Sequence, residues 1–113
     1  MSAYVVVEIE VLDEERYEPC KHLAPPLVAK YGGRFLVRGG ASEILEGEWQ
    51  PKRLVILEFP SVERAKAWWG APEYEGPKAM RQAATRTQMV LVEGFNPEVP
   101  GRRLPESLRR WKR

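Results

Sequence analysis

Few side chains in this sequence are equipped for chemistry, and most of them border glycine pairs or the ends of apolar runs. Arg38 closes the run Arg34–Arg38 and directly precedes Gly39-Gly40. A guanidinium there can clamp a carboxylate or enolate through two parallel hydrogen bonds. It can equally pair with Glu58 or Glu10. Glu58 and Glu93 lie at the ends of two other apolar runs. Such acids carry protons when shielded from water beside a guanidinium, and form rim ion pairs when they are not. Arg38, Glu58 and Glu93 are therefore the candidate catalytic residues. Tyr31 and Arg34 flank Gly32-Gly33, and Trp69 belongs to an adjacent indole pair with Trp68. One indole of such a pair enters a core, and the other stays near the helix edge, where it can roof a pocket. Tyr74 and Arg81 are seven residues apart, on one helix face. They either line a pocket mouth or pack on the helix exterior. Tyr31, Arg34, Trp69, Tyr74 and Arg81 form the candidate ligand-binding set.

Other reactive types read as structural. His22 is the only histidine. It is offset by two positions from Cys20, which falls on an apolar helical stripe, so His22 points toward solvent. Cys20 reads as packing rather than as a nucleophile. One cysteine and one histidine exclude a disulfide framework and a Cys/His zinc centre. The glycine pairs match neither a dinucleotide fingerprint nor a phosphate loop and read as tight turns. No metal or cofactor is expected.

The elements that must position these residues follow from periodicity. Ala3–Val11 alternates as a strand, with Val5, Val7, Ile9 and Val11 on its dry face. Asp13 caps a helical region bearing Tyr17, Cys20, Ala24, Leu27, Val28 and Tyr31 at helical spacing. Pro19 and Pro25-Pro26 predict two short helical pieces rather than one. Arg34–Arg38 is a second strand, and Glu43–Glu46 reads as a small extra one. Arg53–Phe59 is the third main strand, with Val55, Leu57 and Phe59 inward. Ser61 caps a helix over Val62–Trp69, and Pro72 starts another that runs to about Thr85, interrupted at Pro77. Thr87–Gly94 is the fourth strand, with Val90 and Val92 inward. The order β-α-β-β-α-β predicts an α+β, ferredoxin-like split sandwich: a four-stranded antiparallel sheet in order 4-1-3-2, with helices on one face.

The opposite face is then expected to gather Tyr4, Val6, Leu36, Leu54, Ile56, Met89 and Leu91, with Glu8, Glu10, Glu58, Glu93, Arg34 and Arg38 among them. That is too apolar for water and too charged for a monomer core. A homodimer, sheet against sheet, is the simplest closed solution. It would place a pocket for an unidentified small molecule near the seam.

Hydrophobic residues are 43% and charged residues 30% of the 113, the balance of one globular domain. The net charge of +2 is uneven: from Glu98 onward six basic residues face two acids, so the body is mildly acidic. Residues 1–96 read as the domain and 97–113 as a basic, Pro- and Arg-rich tail. The tail's Arg109-Arg110-Trp111-Lys112-Arg113 could contact phosphates and stack a base. The acidic body, without an RNA-recognition aromatic signature on its strands, argues against nucleic acid as a partner. No run is long enough for a membrane span, and a lone cysteine without an export leader predicts a cytoplasmic protein.

Several motifs occur together in order: Tyr31-Gly32-Gly33-Arg34-Phe35-Leu36-Val37-Arg38-Gly39-Gly40, Glu46-Gly47, Glu58-Phe59-Pro60-Ser61, Pro72-Glu73-Tyr74, Arg81 and Val92-Glu93-Gly94. Over about residues 3–95 the chain resembles the bacterial family catalogued as domain of unknown function 1330. The resemblance implies a ferredoxin-like fold in the dimeric α+β barrel superfamily. That superfamily includes cofactor-independent monooxygenases, muconolactone isomerase-like enzymes, chlorite dismutase-like haem proteins and small-ligand regulators, and the family has no settled reaction. Trp69 stands where look-alikes commonly carry tyrosine, Ala71 replaces a usual serine cap, and Gly76-Pro77 replaces residues that would continue a helix. The functional expectation is a cofactor-independent enzyme, monooxygenase- or isomerase-like, acting on a small oxygenated substrate. The alternatives are a non-catalytic ligand-binding or regulatory dimer and a tail-mediated nucleic-acid binder.

Overall fold

The computed structural model describes residues 1–95; the basic tail and its nucleic-acid reading lie outside the described residues. The chain runs β1 (Ala3–Val11), α1 (Glu14–Lys30), β2 (Arg34–Arg38), β3 (Arg53–Phe59), α2 (Val62–Trp69), a 3₁₀ turn (Pro72–Tyr74), α3 (Glu75–Ala84) and β4 (Thr85–Glu93). The sheet order is β2-β3-β1-β4, and every neighbouring pair is antiparallel. The expected fold and strand order are both present. Asp13 and Ser61 cap α1 and α2 by accepting from the amides of Arg16 and Arg64.

The core lies between one sheet face and the helices. Val5, Val7 and Ile9 of β1 and Val55, Leu57 and Phe59 of β3 meet Tyr17, Cys20 and Val28 of α1. Trp68 enters this core and Trp69 stays at the edge. The Trp68 ring lies 5.3 Å from that of Phe59 and 4.8 Å from that of Tyr74, an aromatic row spanning the layers. At Gly33 a Cβ would fall 2.6 Å from the Phe59 ring, so only glycine lets α1 turn into β2 over that ring.

Four expectations need correction. First, α1 is continuous through Pro19, Pro25 and Pro26. Pro25 lacks the N–H that would bond the Lys21 carbonyl. Arg38 Nη2 donates to that carbonyl instead, at 2.5 Å, so a tertiary contact repairs the helix. Second, Glu43–Glu46 forms no strand; residues 39–52 make a loop carried back onto the sheet. Trp49 Nε1 and the Lys52 amide both donate to Glu8, at 3.1 and 3.2 Å. Third, β4 presents its other face. Val5 opposes Leu91 and Val7 opposes Met89, so Met89 and Leu91 pack on the core while Val90 and Val92 face outward. The polar pairings Glu8–Gln88 and Glu10–Arg86 decide this, the latter an ion pair at 3.2 Å.

Fourth, a β-bulge between Phe35 and Val37 shifts the β2 register. Arg34 opposes Glu58 on the open face, but Arg38 opposes Val55 and turns to the helix side. Glu93, opposite buried Ala3, also sits on the helix side. The bulge also moves Val37, expected under the helices beside Phe35, to the open face opposite Ile56. The open face therefore carries Tyr4, Val6, Val37, Leu54, Ile56, Val90 and Val92, with Glu8, Glu10, Glu58, Arg34, Arg86 and Gln88. Arg38 and Glu93 are not among them.

Candidate functional site

The core is not solid. Between the sheet and α1 and α3 it leaves a cavity of about 70 Å³, lined on its apolar walls by Val7, Ile9, Tyr17, Phe35, Trp68 and Tyr74. Three guanidinium groups also line it: Arg38 from β2, Arg53 from β3 and Arg81 from α3. Each arrives by a different device. The bulge rotates Arg38 inward, where its guanidinium carbon lies 4.7 Å from the Phe35 ring centroid. Plain alternation brings in Arg53, two residues before Val55 and opposite Ile9. Gly39 makes room for it: φ is +74° there, and a Cβ would lie 2.3 Å from Arg53 Nη1. Arg81 reaches the cavity because α3 survives Pro77. That proline occupies the first turn, where its missing N–H would have had no intrahelical partner.

The cavity's electrostatics are one-sided. Lys21 also lines it, paired at 3.2 Å with Glu18, and none of the lining residues is an aspartate or glutamate. The Nε atoms of Arg53 and Arg81 and the indole Nε1 of Trp68 are buried without a hydrogen-bond partner among the described residues. Cys20 also lines the cavity; burial pushes its thiol pKa up, against a smaller opposing pull from Arg81.

Of the eight candidate residues, the structure brings together Arg38, Tyr74 and Arg81. Glu58 lies on the opposite sheet face, where it accepts from Arg34 at 2.7 Å and from Tyr4 at 3.3 Å. The Arg34 hydrogen bond, helped by Ser2, holds its carboxyl below the usual carboxylate range. Glu93 does not line the cavity. Tyr31 hydrogen-bonds Glu73 at the surface, beside a Lys30–Glu73 ion pair. Trp69 is a lid over Lys78, whose Nζ sits 3.7 Å from the ring centroid and donates to the Trp69 carbonyl. His22 is at the surface near Glu18, as expected. Arg53, Tyr17 and Trp68 are cavity residues not among the candidates. Arg53 was discoverable, because it shares the alternation of Val55, Leu57 and Phe59.

A family profile described as "Domain of unknown function (DUF1330)" matches residues 2–95. The chain belongs to the DUF1330 family. No curated protein matches this DUF1330 chain by sequence. Among solved structures, it is similar to a protein of unknown function from Rhodopseudomonas palustris, with a TM-score of 0.69 at 18% identity over 85% of this chain and 84% of that one. A dimeric ferredoxin-like protein of unknown function from Jannaschia sp. CCS1 aligns with a TM-score of 0.62 at 16% identity, covering 83% and 100%. SnoaB, a cofactor-independent oxygenase from Streptomyces nogalater, aligns with a TM-score of 0.60 at 11% identity, covering 86% and 96%. At such identities the likeness establishes the fold of the DUF1330 protein and nothing finer.

Proposed function

We propose that this protein is a homodimeric, cofactor-independent enzyme acting on a small oxygenated substrate in the cavity under α1 and α3. The observation that carries the reading is the cavity itself. Cationic donors converge on aromatic walls at a place where a sandwich of this size would otherwise be packed solid. Arg38, at the exposed side of the cavity, is assigned to the substrate oxygen. A guanidinium there stabilises negative charge as it develops on an enolate or phenolate. An activated methylene oxidised to a carbonyl by dioxygen releases one water, which balances atoms and electrons without a further reductant. The oxygenase activity of SnoaB, on the same fold, supports that choice of chemistry. Glu58 faces away from the cavity and is not assigned a proton-transfer role within the protomer. Glu93 is not assigned one either.

The homodimer is supported by the open sheet face. Val90 and Val92 keep 59% and 49% of their surface in the protomer, and the Jannaschia protein of this fold is dimeric. The test is oxygen uptake by the full chain against a panel of small enolisable phenols and ketones. Uptake that falls at least tenfold in kcat/KM with Arg38→Ala supports the reading. A second reading, a non-catalytic binding or regulatory dimer, is favoured by the absence, among the described residues, of any carboxylate from the cavity lining. Uptake at the blank rate, with a bound small molecule recovered unchanged after denaturation, would establish that second reading and overturn the first.

A further inference from the structure

We propose that the cavity is a binding site for a planar organic anion, an aryl or unsaturated carboxylate, whose negative group is held by Arg53 and Arg81 with Arg38 at the mouth. The inference rests on the cavity being the ligand site and names what the ligand must be. Three features lead to it. The lining brings Arg38, Arg53 and Arg81 together with no acidic residue among them. Guanidinium groups facing one confined space repel one another, most of all the partly buried Arg53 and Arg81, so the arrangement is unfavourable until a negative charge enters. The unpartnered atoms are all donors: Arg53 Nε, Arg81 Nε and Trp68 Nε1. Neither guanidinium nor indole N–H can accept a hydrogen bond, so what satisfies them must be an acceptor, and a ligand that displaces water from the cavity must bring acceptors of its own. A carboxylate offers about four lone-pair sites in a plane, matched to the fork of a guanidinium.

The walls specify the remainder of the ligand. Tyr17, Phe35, Trp68 and Tyr74 are flat and aromatic, and the volume is small. A space of about 70 Å³ admits the carboxylate and one edge of a flat unsaturated body, whose remainder extends past Arg38 at the mouth, whereas a bare inorganic anion would leave the aromatic walls uncovered. Gly39 belongs to the same device, since a Cβ there would force the Arg53 guanidinium to shift.

The experiment is titration of the full chain with benzoate, benzamide and inorganic phosphate, read by tryptophan fluorescence and by thermal shift. Benzoate is expected to bind and to raise the melting temperature; benzamide, of the same shape without the charge, binds at least tenfold more weakly. Phosphate does not compete. Arg53→Gln and Arg81→Gln each weaken benzoate at least tenfold. Neither lowers the melting temperature of the free protein, because each removes one of the mutually repelling charges. Arg53→Lys, which keeps the charge and loses the fork, falls between. Equal binding of benzamide and benzoate would overturn the anion assignment while leaving the cavity as a ligand site. Phosphate competing as well as benzoate would overturn the organic body. No binding by either aromatic probe at millimolar concentration would overturn both the inference and the cavity reading beneath it.

Discussion

Arg38 and Pro25 form a pair that can be tested quantitatively. Pro25 deprives the Lys21 carbonyl of its helical donor, and Arg38 Nη2 supplies the replacement from the neighbouring strand. A hydrogen bond from a charged donor contributes about 1.5–3 kcal/mol when shielded; because Arg38 is exposed, about 1 kcal/mol is the appropriate magnitude. Arg38→Ala should therefore lower unfolding stability by about 1 kcal/mol, a shift of roughly 0.5–1 M in the urea midpoint for a chain of this size. Pro25→Ala restores an N–H within reach of the same carbonyl. It should stabilise the helix, by less than the about 3 kcal/mol separating proline from alanine in a helix interior, because Arg38 has already met part of that cost. In the Pro25→Ala background, Arg38→Ala should cost close to nothing. The double-mutant cycle then shows a coupling of about 1 kcal/mol, read from four urea curves followed by far-UV circular dichroism. Equal losses from Arg38→Ala in the two backgrounds would refute the helix-repair account of this contact.

Other expectations follow from the same geometry. Burying the 59% of Val90 left exposed is worth about 1–1.5 kcal/mol per protomer, so Val90→Asp should weaken a two-fold dimer by about 2–3 kcal/mol, roughly 30- to 150-fold. Sedimentation across a dilution series checks this, and an unchanged dimer would remove the open face from the interface. Cys20, with its thiol pKa raised by burial, should resist alkylation at neutral pH and label faster as pH rises; rapid labelling of the folded protein at neutral pH contradicts that. Glu58 has a lowered pKa in the folded state, so its stabilising contribution is complete above the unfolded carboxylate value and is lost as pH falls through the folded one. The stability gap between the parent and Glu58→Gln should accordingly be largest near neutral pH and close in acid; a gap that widens below pH 4.5 contradicts the assignment.

The order of elements and the sheet topology are legible in the sequence because β1 and β3 each carry one wholly apolar face opposite a face that mixes in glutamates, and because Asp13, Ser61 and the glycine pairs punctuate the chain. What escapes sequence reading has specific causes. In β4 both faces are apolar near Val90, so hydrophobicity cannot choose between Met89 and Val90; the deciding residues, Arg86 and Gln88, lie at the strand's start. The continuity of α1 depends on Arg38, a residue from another element, so no helical rule applied to α1 alone can find it. The bulge in β2 leaves no compositional mark, and it reverses the face of Arg38. Glu58 and Arg38 looked like partners only under uninterrupted alternation. Arg53 needed no structure at all, only the same period applied one step further along β3.

The bulge has an evolutionary corollary. Were these five residues to alternate without a bulge, Arg34 and Arg38 would emerge on one side of the sheet, as any two strand positions four apart do. With it, one arginine serves the outer surface beside Glu58 and the other serves the interior beside α1. A relative that lacks the surplus residue pairs regularly and still turns its second arginine inward, whereas one that keeps all five residues needs the bulge to do so. When DUF1330 sequences are compared, the length of that short stretch thus tells whether a bulge is needed to keep the second arginine inward, which the identity of its hydrophobic residues does not.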